Sequence, residues 1–201
     1  MVVSVRADSP IKTGTDLIAR LKPAPAALSV AVGSAQGTTS HFGLAIPLKR
    51  AGVDIKHMRT VVFPSGPDSV TNVLGGHVDV VTGALGVVEP HWRSGTIRIL
   101  AITAPKRLSG EFAGIPTWRE QGIDAVVSNW RFVIAPPGLT EEQVAFWDDL
   151  FRRTVALAEW KKLTEKHQWV DDYVPSRDGR KYLEQEDAEQ RAILTELGLA
   201  K

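Results

Sequence analysis

The sequence of 201 residues contains no cysteine. A protein without cysteine has no disulfide framework, no thiolate nucleophile and no cysteine-ligated zinc or iron–sulfur site. The chain also lacks an excess of one charge, because 24 Lys and Arg residues stand against 23 Asp and Glu residues and give a formal net charge of +1. This balance argues against nucleic acid as a partner, since nucleic-acid-binding surfaces are strongly basic.

Long hydrophobic runs are missing as well. Charged residues interrupt the apolar stretches Val78 to Val81 and Ile97 to Ile102 well short of the roughly 20 residues that a helix needs to cross a bilayer. The first residues, Met1 to Arg6, show no basic region followed by a long apolar segment, so no signal peptide is visible. If the protein acts outside the cytoplasm, we expect its export signal to lie outside this sequence.

What is present is ordinary globular composition, with 43% hydrophobic and 23% charged residues. Short β-branched runs at Val2 to Val5, Leu28 to Val32 and Met58 to Phe63 read as strands, and segments of helical spacing separate them. This alternation predicts an α/β fold built of parallel βαβ units.

Two capping boxes predict where helices begin, Thr13 with Asp16 and Thr140 with Gln143. The second box follows Pro136-Pro137-Gly138, which is the clearest candidate for a boundary between lobes. Beyond it, apolar residues recur at helical spacing from Val144, so the C-terminal region is predicted to be helical.

The segment with most chemical content runs from Gly33 to His41, between a predicted strand and a predicted helix. Glycines let the backbone approach a ligand closely, and free N–H groups at a helix start favour an anion such as a carboxylate or phosphate. A simpler interpretation is that Thr39 or Ser40 only caps the helix. The segment does not match the dinucleotide, Walker or G-x-S-x-G motifs, so no nucleotide cofactor is predicted.

The five histidines form no compact metal-binding pattern, so no metal site is predicted. His41 is the exception among them, because it lies in the first turn after the glycine-rich loop. It could face a bound anion or hold the loop in place. Two further loops, at Phe63 to Ser69 and at Thr82 to Leu85, also follow predicted strands. Ligands bind at the carboxyl ends of parallel strands in open α/β folds, so the three loops predict a small-molecule cleft.

Eight motifs follow one another along nearly the whole chain. The motifs are Ser9-Pro-Ile-Lys12, Gly33 to His41, Gly75-Gly76-His77-Val78-Asp79, Leu100-Ala-Ile-Thr103-Ala-Pro-Lys-Arg107, Ile115-Pro-Thr117, Gly122-Ile123, Asn129-Trp-Arg131 and Ala135-Pro-Pro-Gly138. In the order and spacing of these motifs, the chain resembles the substrate-binding proteins of tripartite tricarboxylate transporters, the Bug family of periplasmic solute receptors.

The resemblance implies a Venus-flytrap fold of the type II periplasmic-binding-protein class, with one complete lobe and part of the other. By family analogy, residues 10–125 form the second, ligand-binding lobe, while residues 1–9 and 126–201 form the hinge and the C-terminal part of the first lobe. The N-terminal part of the first lobe, which supplies one jaw of the site in the family, is expected to be absent. We therefore expect this chain to bind ligand weakly or not at all.

The family's ligand-binding positions carry over residue by residue. They are Ser34, Gln36, Gly37, Thr38, Thr39, Ser40 and His41 in the first loop, Phe63 and Gly66 in the second, and Thr82 and Gly83 in the third. The second loop departs from the family pattern, because Pro67 lacks an N–H donor and Asp68 adds a negative charge.

The resemblance implies capture of a small carboxylated solute, such as a tricarboxylate, in the periplasm for delivery to membrane permease subunits. It implies neither a cofactor nor catalysis. Two alternatives stay open on the residues alone. One is a hydrolase acting on a carboxylate or phosphate ester, with His41 as base and Ser34 or Ser40 as nucleophile. The other is a solute sensor that reports to a signalling partner.

Overall fold

The computed structural model describes residues 1–167 and 169–200. Gln168 and Lys201, which fall within the predicted segment 126–201, lie outside the described residues. The chain divides into two compact units, one of Met1–Asn129 with Arg191–Lys201 and one of Trp130–Gln190. The division at residues 10–125 that the family resemblance implies stays a prediction.

The first unit is built on a five-stranded sheet with the strand order β3-β2-β4-β1-β5. The strands are β1 (Val2–Arg6), β2 (Ser29–Gly33), β3 (Arg59–Phe63), β4 (Val80–Gly83) and β5 (Ile97–Ile102). Strand β2 pairs in parallel with β3 and β4, whereas β1 pairs antiparallel with β4 and β5. The expectation of parallel units throughout is therefore wrong for β1, because a short buried β-branched run looks the same in either direction.

Four α-helices connect the strands of this sheet: α1 (Gly14–Leu21), α2 (Thr39–Arg50), α3 (Gly66–Leu74) and α4 (Leu85–Arg93). Short 3-10 turns lie at Ile55–His57, Gly110–Gly114 and Arg119–Gln121. The predicted capping box of α1 is confirmed, since the Thr13 hydroxyl accepts from the Asp16 N–H at 3.0 Å and the Asp16 carboxylate accepts from the Thr13 N–H at 3.0 Å.

The sheet carries a buried apolar cluster on each face. Val30 and Val32 of β2 belong to one cluster and Ala31 to the other, as the twofold alternation of a strand requires. Residues of α1 and α2 pack in the first cluster, and Val70, Val73 and Val88 of α3 and α4 pack in the second. The unit is thus a three-layer α/β/α arrangement, in which α3 and α4 share one face of the sheet.

The second unit contains α5 (Glu141–Ala156), α6 (Ala158–Lys166) and the first part of α7 (Ser176–Glu196). The predicted capping box of α5 is confirmed by the reciprocal bonds between Thr140 and Gln143. Asp148 ties α5 to the start of α7, because its carboxylate accepts from the Ser176 N–H at 3.1 Å and from the Ser176 hydroxyl at 2.6 Å.

The apolar stripe predicted on α5 is present, yet none of the residues of this helix is buried within the described chain. The side chain of Phe146 is 59% exposed and that of Trp147 is 46% exposed. None of the described helices combines the length and the apolar character needed to span a membrane.

The approach of β2 to the start of α3 gives a first testable prediction. A Cβ atom added at Gly33 would lie 2.7 Å from the backbone nitrogen of Gly66. The atoms nearest to this Cβ position are backbone atoms of Ser65 and Gly66, so no flexible side chain can move aside. We therefore expect Gly33→Ala to reduce the free energy of unfolding by about 1–3 kcal/mol. Equilibrium urea denaturation followed by circular dichroism measures this loss.

Gly86→Ala is the matched control, because a Cβ atom at this position in α4 meets nothing within 4 Å. We expect the control to be neutral or to stabilise by up to about 1 kcal/mol through its better helix propensity. Equal losses in the two variants would contradict the steric argument.

Candidate functional site

Three connections between strand and helix lie side by side at one edge of the sheet. Residues 34–38 lead from β2 to α2, Pro64 and Ser65 lead from β3 to α3, and Ala84 leads from β4 to α4. Because β2, β3 and β4 run in parallel, their carboxyl ends meet at this edge. The prediction that the three loops converge is confirmed.

The loop after β2 has an unusual backbone at Ser34. Its φ angle is +73°, and it is the one residue other than glycine with a positive φ angle in the described chain. Its N–H donates to the carbonyl oxygen of Phe63 at 2.8 Å and so ties this loop to the end of β3. A serine in the left-handed backbone conformation is uncommon, and residues other than glycine with such a backbone concentrate at ligand-binding sites.

Gly37 in the same loop also has a positive φ angle, of +76°. A Cβ atom here would lie 2.8 Å from the Cδ2 atom of Leu194. Leu194 lies in the last part of α7, which belongs to the first unit and is also tied to α2 by a 2.6 Å ion pair between Lys49 and Glu196. Both the backbone and its close neighbour therefore favour glycine at position 37.

His41 is buried, with only 1% of its surface exposed. Its Nδ1 atom accepts from the Gly37 N–H at 3.0 Å, so the neutral ring carries its proton on Nε2. The Nε2 atom is buried and has no hydrogen-bond partner among the described residues. Burial lowers the pKa of His41 below its ordinary value of 6.5. Of the two roles considered for His41, its contacts favour holding the loop.

The starts of α2 and α4 lack a capping side-chain hydrogen bond. Thr38 occupies the N-cap position of α2 but makes no side-chain cap hydrogen bond, because its hydroxyl donates to the Ala35 carbonyl at 3.0 Å. Ala84 at the start of α4 has no side-chain oxygen to cap its helix. Helix starts without a capping side chain leave backbone donors for an anion.

The start of α3 is different, because the protein caps it. The Ser65 hydroxyl accepts from the Asp68 N–H at 3.3 Å and donates to the Asp68 carboxylate at 2.6 Å. Pro67 follows Gly66 in the first turn and brings no N–H group.

A cavity of about 190 Å³ lies at this edge of the sheet. Its walls are formed by Ser40, Gly66, Pro67, Val70, Val81, Thr82, Gly83, Ala84, Val87 and Val88. The Thr82 hydroxyl donates to the Ser40 carbonyl at 2.8 Å and so connects the end of β4 to the first turn of α2. Ser40 and Thr82 are the two lining residues that carry a hydroxyl group, and the other lining residues are apolar or glycine.

The cavity brings together four of the eleven predicted ligand-binding residues: Ser40, Gly66, Thr82 and Gly83. The remaining seven, Ser34, Gln36, Gly37, Thr38, Thr39, His41 and Phe63, do not line it. Ser34 and Gln36 are exposed, while Phe63 is half-buried and packs against an apolar cluster. A ligand role for the eleven residues stays a prediction.

Six lining residues were not among the predicted ligand-binding residues: Pro67, Val70, Val81, Ala84, Val87 and Val88. Pro67 and Ala84 lie in the predicted loops, whereas the four valines look like ordinary core positions. One signal was available, since Val70 lies one helical turn after Gly66, and Val87 and Val88 lie one turn after Ala84.

The arrangement around His41 also bears on the hydrolase alternative. Its Nδ1 atom is engaged with Gly37, and no described hydrogen bond joins its ring to the hydroxyl of Ser34 or Ser40. Within residues 1–167 and 169–200, no group of three His, Asp or Glu side chains has the arrangement of a metal site.

Comparison with known proteins identifies the family. The family model described as "Tripartite tricarboxylate transporter family receptor" matches residues 1–199. The chain belongs to this family. The family resemblance drawn from the motifs is therefore confirmed.

Among curated proteins, this chain is 28% identical over 197 residues to the "UPF0065 protein in gbd 5'region" of Cupriavidus necator. The match covers 98% of this chain and 58% of the relative. The chain thus spans a little over half the length of that relative.

Solved structures share the fold of this chain. A TctC solute-binding protein from Polaromonas matches with a TM-score of 0.80 at 21% identity, over 98% of this chain and 66% of that one. An R. palustris protein solved with adipate matches with a TM-score of 0.77 at 23% identity, over 99% of this chain and 65% of that one. The expected fold of the periplasmic-binding-protein class is confirmed.

The buried His41 predicts a pH dependence of stability. Its pKa in the folded state lies below 6.5, so on acidification the unfolded chain takes up a proton first. The stability that the neutral ring contributes is present above pH 6.5 and is lost as the pH falls below it, by up to about 1.4 kcal/mol per pH unit. Urea denaturation at several pH values between 5 and 8 measures this slope.

His41→Gln keeps a side-chain acceptor for Gly37 but does not titrate, so we expect a shallower loss of stability below pH 6.5. His77→Gln, at an exposed position, should keep the wild-type slope. Coinciding curves for wild type and His41→Gln would contradict the role assigned to His41.

Proposed function

We propose that this chain is a solute-binding receptor that holds a small organic acid in the cavity at the carboxyl ends of β2, β3 and β4. The observation that carries the proposal is that Ser40, Thr82 and Gly83 line one cavity beside the uncapped starts of α2 and α4. Backbone N–H groups and the Ser40 hydroxyl can bind a carboxylate without a positively charged side chain, whereas the Thr82 hydroxyl already donates its proton to the Ser40 carbonyl.

The family and the bound ligand of one relative support this proposal. A protein of the same fold was solved with adipate, an organic acid with two carboxylates. We propose that the receptor releases its ligand unchanged, and the engagement of His41 with Gly37 supports binding in preference to turnover.

We further propose that the receptor acts in the periplasm and delivers its ligand to membrane permease subunits of a tripartite tricarboxylate transporter. The family to which the chain belongs supports this assignment. A ligand that contacts two lobes binds the closed state of the receptor more tightly than the open state. It shifts the equilibrium between these two states by that difference in affinity.

Filling the cavity tests the proposed site. A Cβ atom at Gly83 meets nothing within 4 Å, and Gly83 lies at the end of a strand, where a β-branched residue is accommodated. We therefore expect Gly83→Val to occupy the cavity without disturbing the fold and to weaken organic-acid binding at least tenfold. Two-dimensional NMR titration with adipate, followed at the Ser40 and Gly66 amides, measures dissociation constants as weak as millimolar.

Gly114→Ala is the control, because a Cβ atom there also meets nothing within 4 Å and the residue does not line the cavity. We expect it to bind as wild type does. Undiminished binding by Gly83→Val would place the ligand elsewhere.

A further inference from the structure

We propose that Asp68 makes this receptor select monocarboxylic acids with an apolar body over dicarboxylic acids of the same length. The inference rests on the proposed function, since it concerns the same cavity. It follows from a difference between the three helix starts at this edge of the sheet and from the chemistry of the cavity walls.

The three helix starts do not present the same charge. A helix N-terminus carries a partial positive charge of about half a unit, which α2 and α4 leave without a capping side chain. At α3 the Asp68 carboxylate lies in the first turn and is held there by the 2.6 Å bond from the Ser65 hydroxyl. Its full negative charge exceeds the partial positive charge of the helix, so the start of α3 is negative overall.

No ion pair within residues 1–167 and 169–200 neutralises Asp68. Gly66 and Pro67, the first two residues of α3, line the cavity, so this negative helix start adjoins the ligand space. Pro67 has no N–H group to offset the repulsion by donating to a second anion.

The walls of the cavity add a second constraint. All ten lining residues are uncharged, and the side chains of Val70, Val81, Val87 and Val88 are wholly apolar. A carboxylate placed against such walls loses its hydration without gaining a donor, whereas a methylene chain or ring gains burial. One carboxylate can bind near Ser40 and the uncapped helix starts, and the rest of the ligand then faces apolar surface.

Hexanoate and adipate are a matched pair of probes, because they share a six-carbon chain and differ by one carboxylate. Each is titrated into the isotope-labelled chain at pH 7.5, with the Ser40, Gly66 and Gly83 amides as readout. We expect hexanoate to bind at least tenfold more tightly than adipate. Equal or tighter binding of adipate would overturn the inference.

Asp68→Asn tests the residue itself. The variant removes the charge and keeps an oxygen that can accept from the Ser65 hydroxyl, so the cap of α3 is retained. We expect the ratio of the two affinities to fall at least threefold, chiefly through tighter adipate binding. A purely structural effect would change both affinities alike and leave the ratio unchanged.

Asp16→Asn is the matched control. Asp16 is likewise a capping carboxylate in the first turn of a helix, but no residue of α1 lines the cavity, and β1, which precedes α1, runs antiparallel to β4 and ends at the opposite edge of the sheet. This variant should keep the wild-type ratio. An unchanged ratio in Asp68→Asn would overturn the role of Asp68.

The outcomes separate this inference from the proposed function. If neither acid shifts the amides at the cavity, the proposed function fails and the inference fails with it. If both acids bind and adipate is not disfavoured, the proposed function stands and the inference alone is overturned.

Discussion

The candidate site depends on how closely the end of β2 approaches the connection that follows β3. A Cβ atom at Gly33 would lie 2.7 Å from the Gly66 nitrogen, and the Ser34 N–H donates to the Phe63 carbonyl at 2.8 Å. These contacts are made by backbone atoms, so they fix the positions of the two helix starts more tightly than side chains could. The Thr82 hydroxyl extends the same connection to the first turn of α2.

Because the three helix starts are held side by side, their differences decide what the cavity can bind. Two starts lack a capping side chain and keep their N–H groups for a ligand, while the third is capped by Ser65 and carries Asp68. Each helix dipole places a partial positive charge at its helix start, but Asp68 in the first turn of α3 makes the local charge there negative. The fold supplies the positions, and the loop sequences supply the specificity.

The sequence predicted the elements that depend on local patterns. The capping boxes at Thr13 and Thr140 are local, since each involves residues three positions apart, and both were found as predicted. The convergence of the three loops followed from the rule for parallel strands. The direction of β1 could not be predicted, because it depends on pairing with β4 and β5, which are about 80 and 100 residues away in the sequence.

The residues that line the cavity were only partly predictable, for a related reason. Ser40, Gly66, Thr82 and Gly83 lie in the three glycine-containing loops or their edges, and the family resemblance pointed to them individually. The valines of α3 and α4 were not predicted, because apolar residues at helical spacing are typical of a core. Their position on both sides of a cavity arises from the packing of the two helices on the same sheet face, and their spacing from Gly66 and Ala84 is only a partial signal of it.

His41 holds the loop after β2 without adding a positive charge to the candidate site. A positively charged side chain beside α2 would attract any anion, whereas burial keeps this ring neutral and its Nδ1 atom accepts from Gly37. The loop is therefore held by a hydrogen bond that adds no net charge to the site. Attraction of an anion is then left to helix dipoles and the Ser40 hydroxyl, which act over short distances and in fixed directions. A site of this kind distinguishes ligands by where their charge lies, and this is the property on which selection by Asp68 depends.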